Sequence, residues 1–577
     1  MDNELNGGEY GMKRSWKQSW VGMISLLLAI TLVLSACSGG SSTNGEGASN
    51  TEANEDLFNP VGQYPIVKEQ MKIKMFAPQF ASIENMETNA FTKWAEEKTN
   101  IKIEWDLVPD NALNDRKQLM LASGDYPEVI LHGNLTKEEQ MKYGKQGVFI
   151  PLNDLIDQYA PNIKKAMEDI PYMKSSITSP DGNIYAIPQV NECYHCDNAL
   201  KVWINKAWLD KLGMQLPTTT EEFYQVLKAF REKDPNGNGK QDEIPLTGSD
   251  EMWTGNVSAF LMNAFIVDDY TEKTTGTFLR VVNEKVEFVA NTDEWKQGLE
   301  YLNKLYKEGL IDPAAFTQNA DAIQQLANRE GDNIMGTLTT ALLSYAYPMN
   351  DTTPRHKDYV VVPPLKGPNG VQQTLNFAGI NNSQFAITNK ATKDQQIAAI
   401  RFADLMFTEE AIVLQEHGPE GKGWRKANEG ELDLNGEQAK YAEIVDPNPS
   451  PTHNDGWEQI GPSLRTYAYR GSWAALQQDP LAEGGYGKRL NDVSKEYEPY
   501  HSKEQYPNGL FIALEDADLS AQIKTTLVEY VKSNMAQFIT GSKDINKEWD
   551  NYVKGLEGMQ LNQYLEIYQK AYDSANK

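Results

Sequence analysis

Met71-Lys-Ile-Lys-Met-Phe-Ala77 alternates polar and apolar residues with the two-residue period of a half-buried strand, and Ile101-Lys-Ile-Glu-Trp-Asp-Leu107 repeats the alternation. Between them Asn89 to Lys98 reads as a helix closing on Thr99-Asn100. A second helix pattern, Asp115 to Ser123, runs into Gly124-Asp125-Tyr126-Pro127 and then a short apolar run, Glu128-Val-Ile-Leu131. Strands alternating with helices predict an α/β unit with a largely parallel sheet. A second α/β unit begins after Gly182-Asn-Ile-Tyr-Ala-Ile-Pro188. There Lys201-Val-Trp-Ile204 supplies a strand, Asn205 to Leu212 a helix stopped by Gly213, and Pro217-Thr-Thr-Thr-Glu-Glu-Phe223 a capped helix start. Trp295 to Gly309 puts Leu299, Leu302, Leu305 and Tyr306 on one helix face, and Gln395 to Phe407 does the same with Ile397, Ile400, Phe402 and Leu405. Asp518 to Ala575 is helix pattern almost throughout, and no repeat runs at a solenoid period.

The folded pattern starts near Tyr64. Before it, Lys13, Arg14 and Lys17 precede an apolar stretch from Val21 to Leu34, too short for an ordinary span of about 20 residues. This order of basic, apolar and small residues is that of a cleaved signal. With Leu34-Ser35-Ala36-Cys37 at its end, the segment resembles a bacterial lipoprotein signal, Cys37 matching the lipobox cysteine. The resemblance implies that residues 1–36 are removed and that Cys37 carries a lipid. A plain signal peptide cleaved near Ala36 is the alternative. Ser38 to Glu55, rich in Ser, Gly, Asn and Thr, reads as a flexible tether with a reach of about 25 Å, so residues 37–60 form the lipidated cysteine and its linker.

Charge narrows the partners. The formal net charge is −27, and the signal segment removes as many acids as bases, so the mature chain keeps it. Such a balance argues against nucleic acid, whose phosphates need Lys and Arg patches. A chain of 577 residues is long enough for more than one folding unit. Besides Cys37 the cysteines are Cys193 and Cys196, in Glu192-Cys-Tyr-His-Cys-Asp197, a spacing open to a small disulfide loop, free thiols or half a metal site. Nucleophile elbows, His-Glu-x-x-His, phosphate loops and dinucleotide fingerprints are missing from the sequence. Paired carboxylates among the 81 acids keep a glycan-cleaving enzyme in play.

Asp234-Pro-Asn-Gly-Asn-Gly-Lys-Gln-Asp-Glu243 is the sharpest motif after the signal. Oxygen-bearing side chains at alternating positions of a tight loop converge on a hard cation, and Gly239 permits the turn that brings the Lys240 carbonyl inward. The loop departs from an EF-hand at position twelve, which is Pro245, so Glu243 must act two positions early. Pro245 also hinders an outgoing helix, which makes the loop an isolated staple. A metal-free Asn-Gly turn is the other reading.

Taken together, Gly124-Asp-Tyr-Pro-Glu-Val-Ile130, Tyr185-Ala-Ile-Pro188, Trp203-Ile-Asn-Lys-Ala-Trp-Leu209, Leu305-Tyr-Lys-Glu-Gly-Leu-Ile-Asp-Pro313 and Phe538-Ile-Thr-Gly541 resemble the bacterial solute-binding proteins that serve ABC importers for sugars and oligosaccharides, and among them the alginate-oligosaccharide-binding lipoproteins. The resemblance implies a two-lobed α/β fold of the type II periplasmic-binding-protein kind. Its lobes are 61–188 plus about 375–445, and 189–374 plus about 446–577, with crossings near Pro188 and Phe377. It implies a non-catalytic, monomeric receptor, lipid-anchored to the outer side of the cell membrane, which hands an oligosaccharide to ABC permease subunits. A polysaccharide-active enzyme and a peptide receptor on the same scaffold are the alternatives. By the same resemblance a structural calcium ion takes Asp234, Asn236, Asn238, Lys240 through its backbone, Asp242 and Glu243.

Ligands of open α/β sheets gather at the carboxyl ends of strands, which puts Gln79, His132 and Asn134 on the first lobe's rim. Resemblance to sugar-binding relatives places Glu251, Trp253 and Thr339 on the second lobe. Trp457, Arg470 and Trp473 stand in polar, Gly-bearing sequence and are expected to complete an aromatic platform for sugar faces, with arginine able to hold a carboxylate.

Overall fold

A computed structural model describes residues 53–270, 276–377, 379–446, 450–507 and 509–575. Cys37 and the signal lie outside them. Among the described residues the strands are β1 (Met71–Gln79), β2 (Ile101–Pro109), β3 (Val129–Leu135), β4 (Ile187–Asn191), β5 (Val202–Asn205), β6 (Leu279–Val282), β7 (Lys285–Phe288), β8 (Thr337–Thr339), β9 (Tyr359–Val361), β10 (Ile380–Ile387), β11 (Trp424–Lys426), β12 (Tyr441–Glu443) and β13 (Ser463–Arg465).

The first lobe is built on a six-stranded sheet in the order β13-β4-β10-β3-β1-β2. β1 pairs in parallel with β2 and β3, and β13 with β4, while β10 runs antiparallel between β3 and β4. Successive residues of one strand serve different cores. Met75, Ala77, Val129 and Leu131 join one apolar cluster, whereas Phe76 and Ile130 join another on the opposite face. Burial on both faces is what lets parallel strands read as apolar runs.

The second lobe holds the small sheet β8-β5-β9, antiparallel throughout, so it is not a second parallel unit. Helices dominate it. Thr220–Glu232 begins with a reciprocal capping box between Thr219 and Glu222, as the Thr-Thr-Glu-Glu sequence predicts. The helical C-terminal stretch divides into Leu514–Thr540, Ile545–Gly558 and Leu561–Ala575, the first ending on Gly541 at φ +77°. No helix among the described residues is long and apolar enough to cross a membrane.

The chain leaves β4 at Asn191 and enters β5 at Val202, and it returns at β10 beside the first crossing. Asn191 N–H donates to the Gly379 carbonyl at 2.6 Å. A Cβ on Gly379 would lie 2.7 Å from the Asn191 oxygen, so the two segments touch backbone to backbone. A third passage follows Arg465 and ends in the helix Tyr486–Tyr497, whose Leu490 and Tyr497 belong to the second core. This moves one expected boundary. The sequence assigns residues from about 446 to the second lobe, yet Trp457 and Ile460 are buried in the first core and β13 completes the first sheet. A three-residue strand is too short for alternation to reveal, and only the parallel partner β4 gives it an address.

Candidate functional site

The site begins with an irregularity where β3 meets β10. Phe385 pairs with Leu131, but Ser383 pairs with Leu135, so β3 advances four residues while β10 advances two. The surplus forms a bulge at His132-Gly133-Asn134, and bulges re-aim side chains at strand ends. His132 and Asn134 take φ of +53° and +47°. Gly133 between them approaches its neighbours so closely that a Cβ would sit 2.5 Å from Ile130 Cγ2. Such left-handed non-glycine backbone persists only where the surroundings hold it, and it concentrates at functional sites.

Both residues face an open cavity of about 710 Å³ at the carboxyl ends of β3 and β4, into which Phe80, Gln189, Gln384 and Glu458 also project. Glu458 is a third left-handed residue, at φ +54°. Gln384 Nε2 donates to Asn134 Oδ1 at 2.9 Å, and the Gly461 N–H donates to His132 Nδ1 at 3.0 Å. The Phe80 ring meets His132 edge-on, with centroids 5.6 Å apart. Burial, and then the Arg465 charge, push the His132 imidazole down to about 4. Gln79 lines an adjoining cavity of about 700 Å³ that shares Phe80, its own amide donating to the Ile83 carbonyl at 2.7 Å.

On the second lobe, the loop 249–256 docks on the crossing segment, where Thr254 Oγ1 donates to the Ala199 carbonyl at 2.8 Å. Trp253 is half-buried in this loop, its carbonyl accepting from Ala341 N–H at 3.0 Å, and Glu251 is exposed in the same loop. Thr339 is different from its expected role. It is 1% exposed, and its hydroxyl donates to the Gly255 carbonyl at 2.9 Å, so it shapes the loop from beneath.

The expected platform of Trp457, Arg470 and Trp473 is not one surface. Trp457 is fully buried, its indole N–H donating to Thr92 Oγ1 at 2.7 Å and its ring packed against Phe91 and Trp105. A ring with no open face cannot stack on a sugar. Trp473 lies 4.1 Å from the His417 ring, centroid to centroid, in a satellite cluster with Tyr441. Arg470 reaches the crossing, where it bonds Asn191 Oδ1. The aromatic pair at the crossing is instead Tyr194 and Tyr467, stacked at 4.5 Å. Cys193 and Cys196 are joined as a disulfide in that segment, which decides the question their spacing leaves open. Beside it Asp197 accepts from Tyr467 and is pushed up to about 6, chiefly by burial.

The loop from Asp234 to Glu243 closes on itself. Asp234 accepts the N–H groups of Gly237, Asn238 and Gly239 at 2.9 to 3.1 Å. Asn236 and Asn238 both reach Asp242 Oδ1, and Asn238 Oδ1 accepts the Lys240 N–H at 2.8 Å. Glu243 is 5% exposed, and neither carboxylate oxygen meets a donor at hydrogen-bonding geometry. Burial, with the charges of Asp234 and Asp242 added, pushes its pKa up. A buried carboxylate that faces two others, with only the backbone N–H groups of Glu243 and Asn236 close by to offset its charge, is the chemistry that a hard cation satisfies.

Phe80, Gln189, Gln384 and Glu458 carry no motif of their own in the sequence. Phe80 follows Gln79 directly and Gln189 follows Tyr185-Ala-Ile-Pro188, so adjacency to recognised motifs was a signal for those two. Gln384 and Glu458 come from distant sequence and had none.

Comparison with known proteins agrees with this architecture. The family model described as bacterial extracellular solute-binding protein matches residues 77–413. The fructooligosaccharide ABC transporter substrate-binding protein FusA of Streptococcus pneumoniae serotype 4 is 30% identical over 567 residues, covering 96% of this chain and 98% of its own. The structure of FusA in complex with kestose aligns with a TM-score of 0.64 at 27% identity, over 88% of this chain and 100% of that one. An EF-hand mutant of FusA in complex with fructo-nystose also aligns with a TM-score of 0.64, at 28% identity and the same coverage. An extracellular solute-binding protein from Bifidobacterium longum subsp. infantis gives 0.71 at 26% identity, over 88% and 99%. The alginate-binding protein AlgQ2, at 24% identity and 0.59 over 89% and 100%, shares the fold.

Proposed function

Because the chain belongs to the bacterial extracellular solute-binding protein family, we propose that it captures an oligosaccharide outside the cell and delivers it to the permease of an ABC importer. The observation that carries this reading is the bulge in β3, which turns His132 and Asn134 into a wide cavity beside the crossing segments. Amides lining a cavity both donate and accept, as sugar hydroxyls do, and Phe80 offers a ring for the apolar face of a pyranose or furanose. On this reading Trp253 and Glu251, in the loop that docks on the crossing segment, would supply second-lobe contacts to the ligand. The same reading makes the receptor a monomer held to the membrane by a lipid on Cys37.

The loop from Asp234 to Glu243 fits one calcium ion in a structural role. Asp234, Asn236, Asn238, Asp242, Glu243 and the Lys240 carbonyl would hold it, and bound there it supplies positive charge to three carboxylates. The EF-hand named for FusA supports this assignment.

The test is isothermal calorimetry of the calcium-loaded protein with oligosaccharides of several linkages, fructooligosaccharides first, with product analysis of each mixture. Saturable binding without turnover is the expected result. Cleavage of a bound glycan would establish an enzyme instead, and binding of peptides alone would reassign the ligand.

A further inference from the structure

The charge of the ligand follows from the lining of the cavity. His132 Nδ1 accepts the Gly461 backbone N–H. A backbone N–H only donates, so this nitrogen carries a lone pair and the ring proton sits on Nε2. An imidazolium would need a second N–H where Gly461 already presents one. The downward displacement of the imidazole pKa points the same way. His132 is thus a neutral donor. Asn114, Asn134, Gln189, Gln384 and Gln459 surround it with amides.

The charged groups near this ring are Glu458, Asp110, Arg465 and a largely buried pair beneath the bulge, where Lys117 Nζ donates to the Gly133 carbonyl at 2.9 Å and lies 2.9 Å from Glu139. Glu458 lines the cavity, with its carboxylate 2.8 Å from His453. Asp110 lines the adjoining one. Arg465 lies behind His132, fully buried and bonded to Glu416 at 2.8 Å. Among the described residues, neither cavity's lining includes a lysine or arginine. A sugar carboxylate drawn into this space would lose water, find the two nearest cations, Lys117 and Arg465, buried against Glu139 and Glu416, and face Glu458. Desolvating an unpaired charge is costly, while a hydroxyl gains donors and acceptors alike.

We propose that this cavity selects uncharged oligosaccharides over uronate-bearing ones, with His132 as the specificity-determining neutral donor. The proposal rests on the oligosaccharide-receptor reading, and its test separates the two. Neutral and uronic tetrasaccharides are titrated into the calcium-loaded protein by calorimetry, and the His132 ring nitrogens are observed by 15N NMR at pH 6. The expected result is at least about a hundredfold tighter binding of a neutral glycan, as an unpaired buried charge implies. The NMR spectrum should show a neutral Nε2–H tautomer. Gln459→Lys, at an exposed position of the lining, should narrow the gap about tenfold by aiding the uronate. Uronate binding as tight as neutral binding, or an imidazolium at pH 6, overturns the proposal and leaves the receptor reading intact. Binding of neither class overturns both.

Discussion

Glu243→Gln tests the loop by a reversal of sign. In the folded chain Glu243 is 5% exposed, with no donor at full hydrogen-bonding geometry on either oxygen, only the nearby backbone N–H groups of Glu243 and Asn236 to offset it, and Asp234 and Asp242 adding like charge. Without a cation this carboxylate is a liability, because burying an unpaired charge costs free energy and two nearby carboxylates increase the cost. Glutamine removes the charge and keeps the shape, so in chelator the variant should melt at or above the wild type. With calcium the order reverses. An ion at 100 times its dissociation constant stabilises the folded state by about 2.7 kcal/mol. For an unfolding unit of roughly 300 residues the entropy is about 0.6 kcal/mol per kelvin, which turns that stabilisation into a rise of about 4 °C. The assay is scanning calorimetry of wild type and Glu243→Gln, stripped of metal and then measured with EDTA or with millimolar calcium. Asp242→Ala, which removes the carboxylate that Asn236 and Asn238 both reach, should abolish the calcium response. Identical wild-type curves in calcium and chelator would refute the reasoning, as would a variant that loses stability equally in both.

Phe80→Ala should weaken oligosaccharide binding by about 1–3 kcal/mol, taking base–aromatic stacking as the guide, with little change in melting. Trp457→Ala should do the reverse, costing about 3–5 kcal/mol of stability because its buried ring leaves a cavity; calorimetry and urea unfolding of the two variants check the contrast. Cys37→Ser should release the protein into the medium or leave its signal uncleaved, read by membrane fractionation, and unchanged membrane association would count against lipidation. Asp197 holds its proton up to about pH 6 in the folded state against about 4 unfolded, so its contribution favours folding below pH 4 and is lost as pH rises to 6, by up to about 3 kcal/mol. Asp197→Asn should flatten that part of the stability profile in urea titrations at pH 4 to 7, and parallel profiles would sink the assignment.

Local pattern carried much of this protein. The alternation at 71–77 and 101–107 gives β1 and β2, the Thr-Glu spacing at 219–222 gives a capping box, and the strand-end rule points to His132 and Asn134, which line a cavity in the fold. The Asp234 loop was equally legible, since its geometry is set by ten consecutive residues. These features share one property, that the interactions defining them lie within a few positions along the chain. Tertiary structure decided what depends on distant partners. Trp457 sits in polar sequence, and only Phe91, Trp105 and Thr92, more than three hundred residues earlier, make it a core residue. Thr339 reads as a rim hydroxyl until the Gly255 carbonyl claims it. The bulge that aims His132 exists because β10, some 250 residues later, is two residues short of matching β3. Side-chain exposure and β-register are properties of the pairing partner as much as of the residue, and a single strand of sequence does not contain its partner.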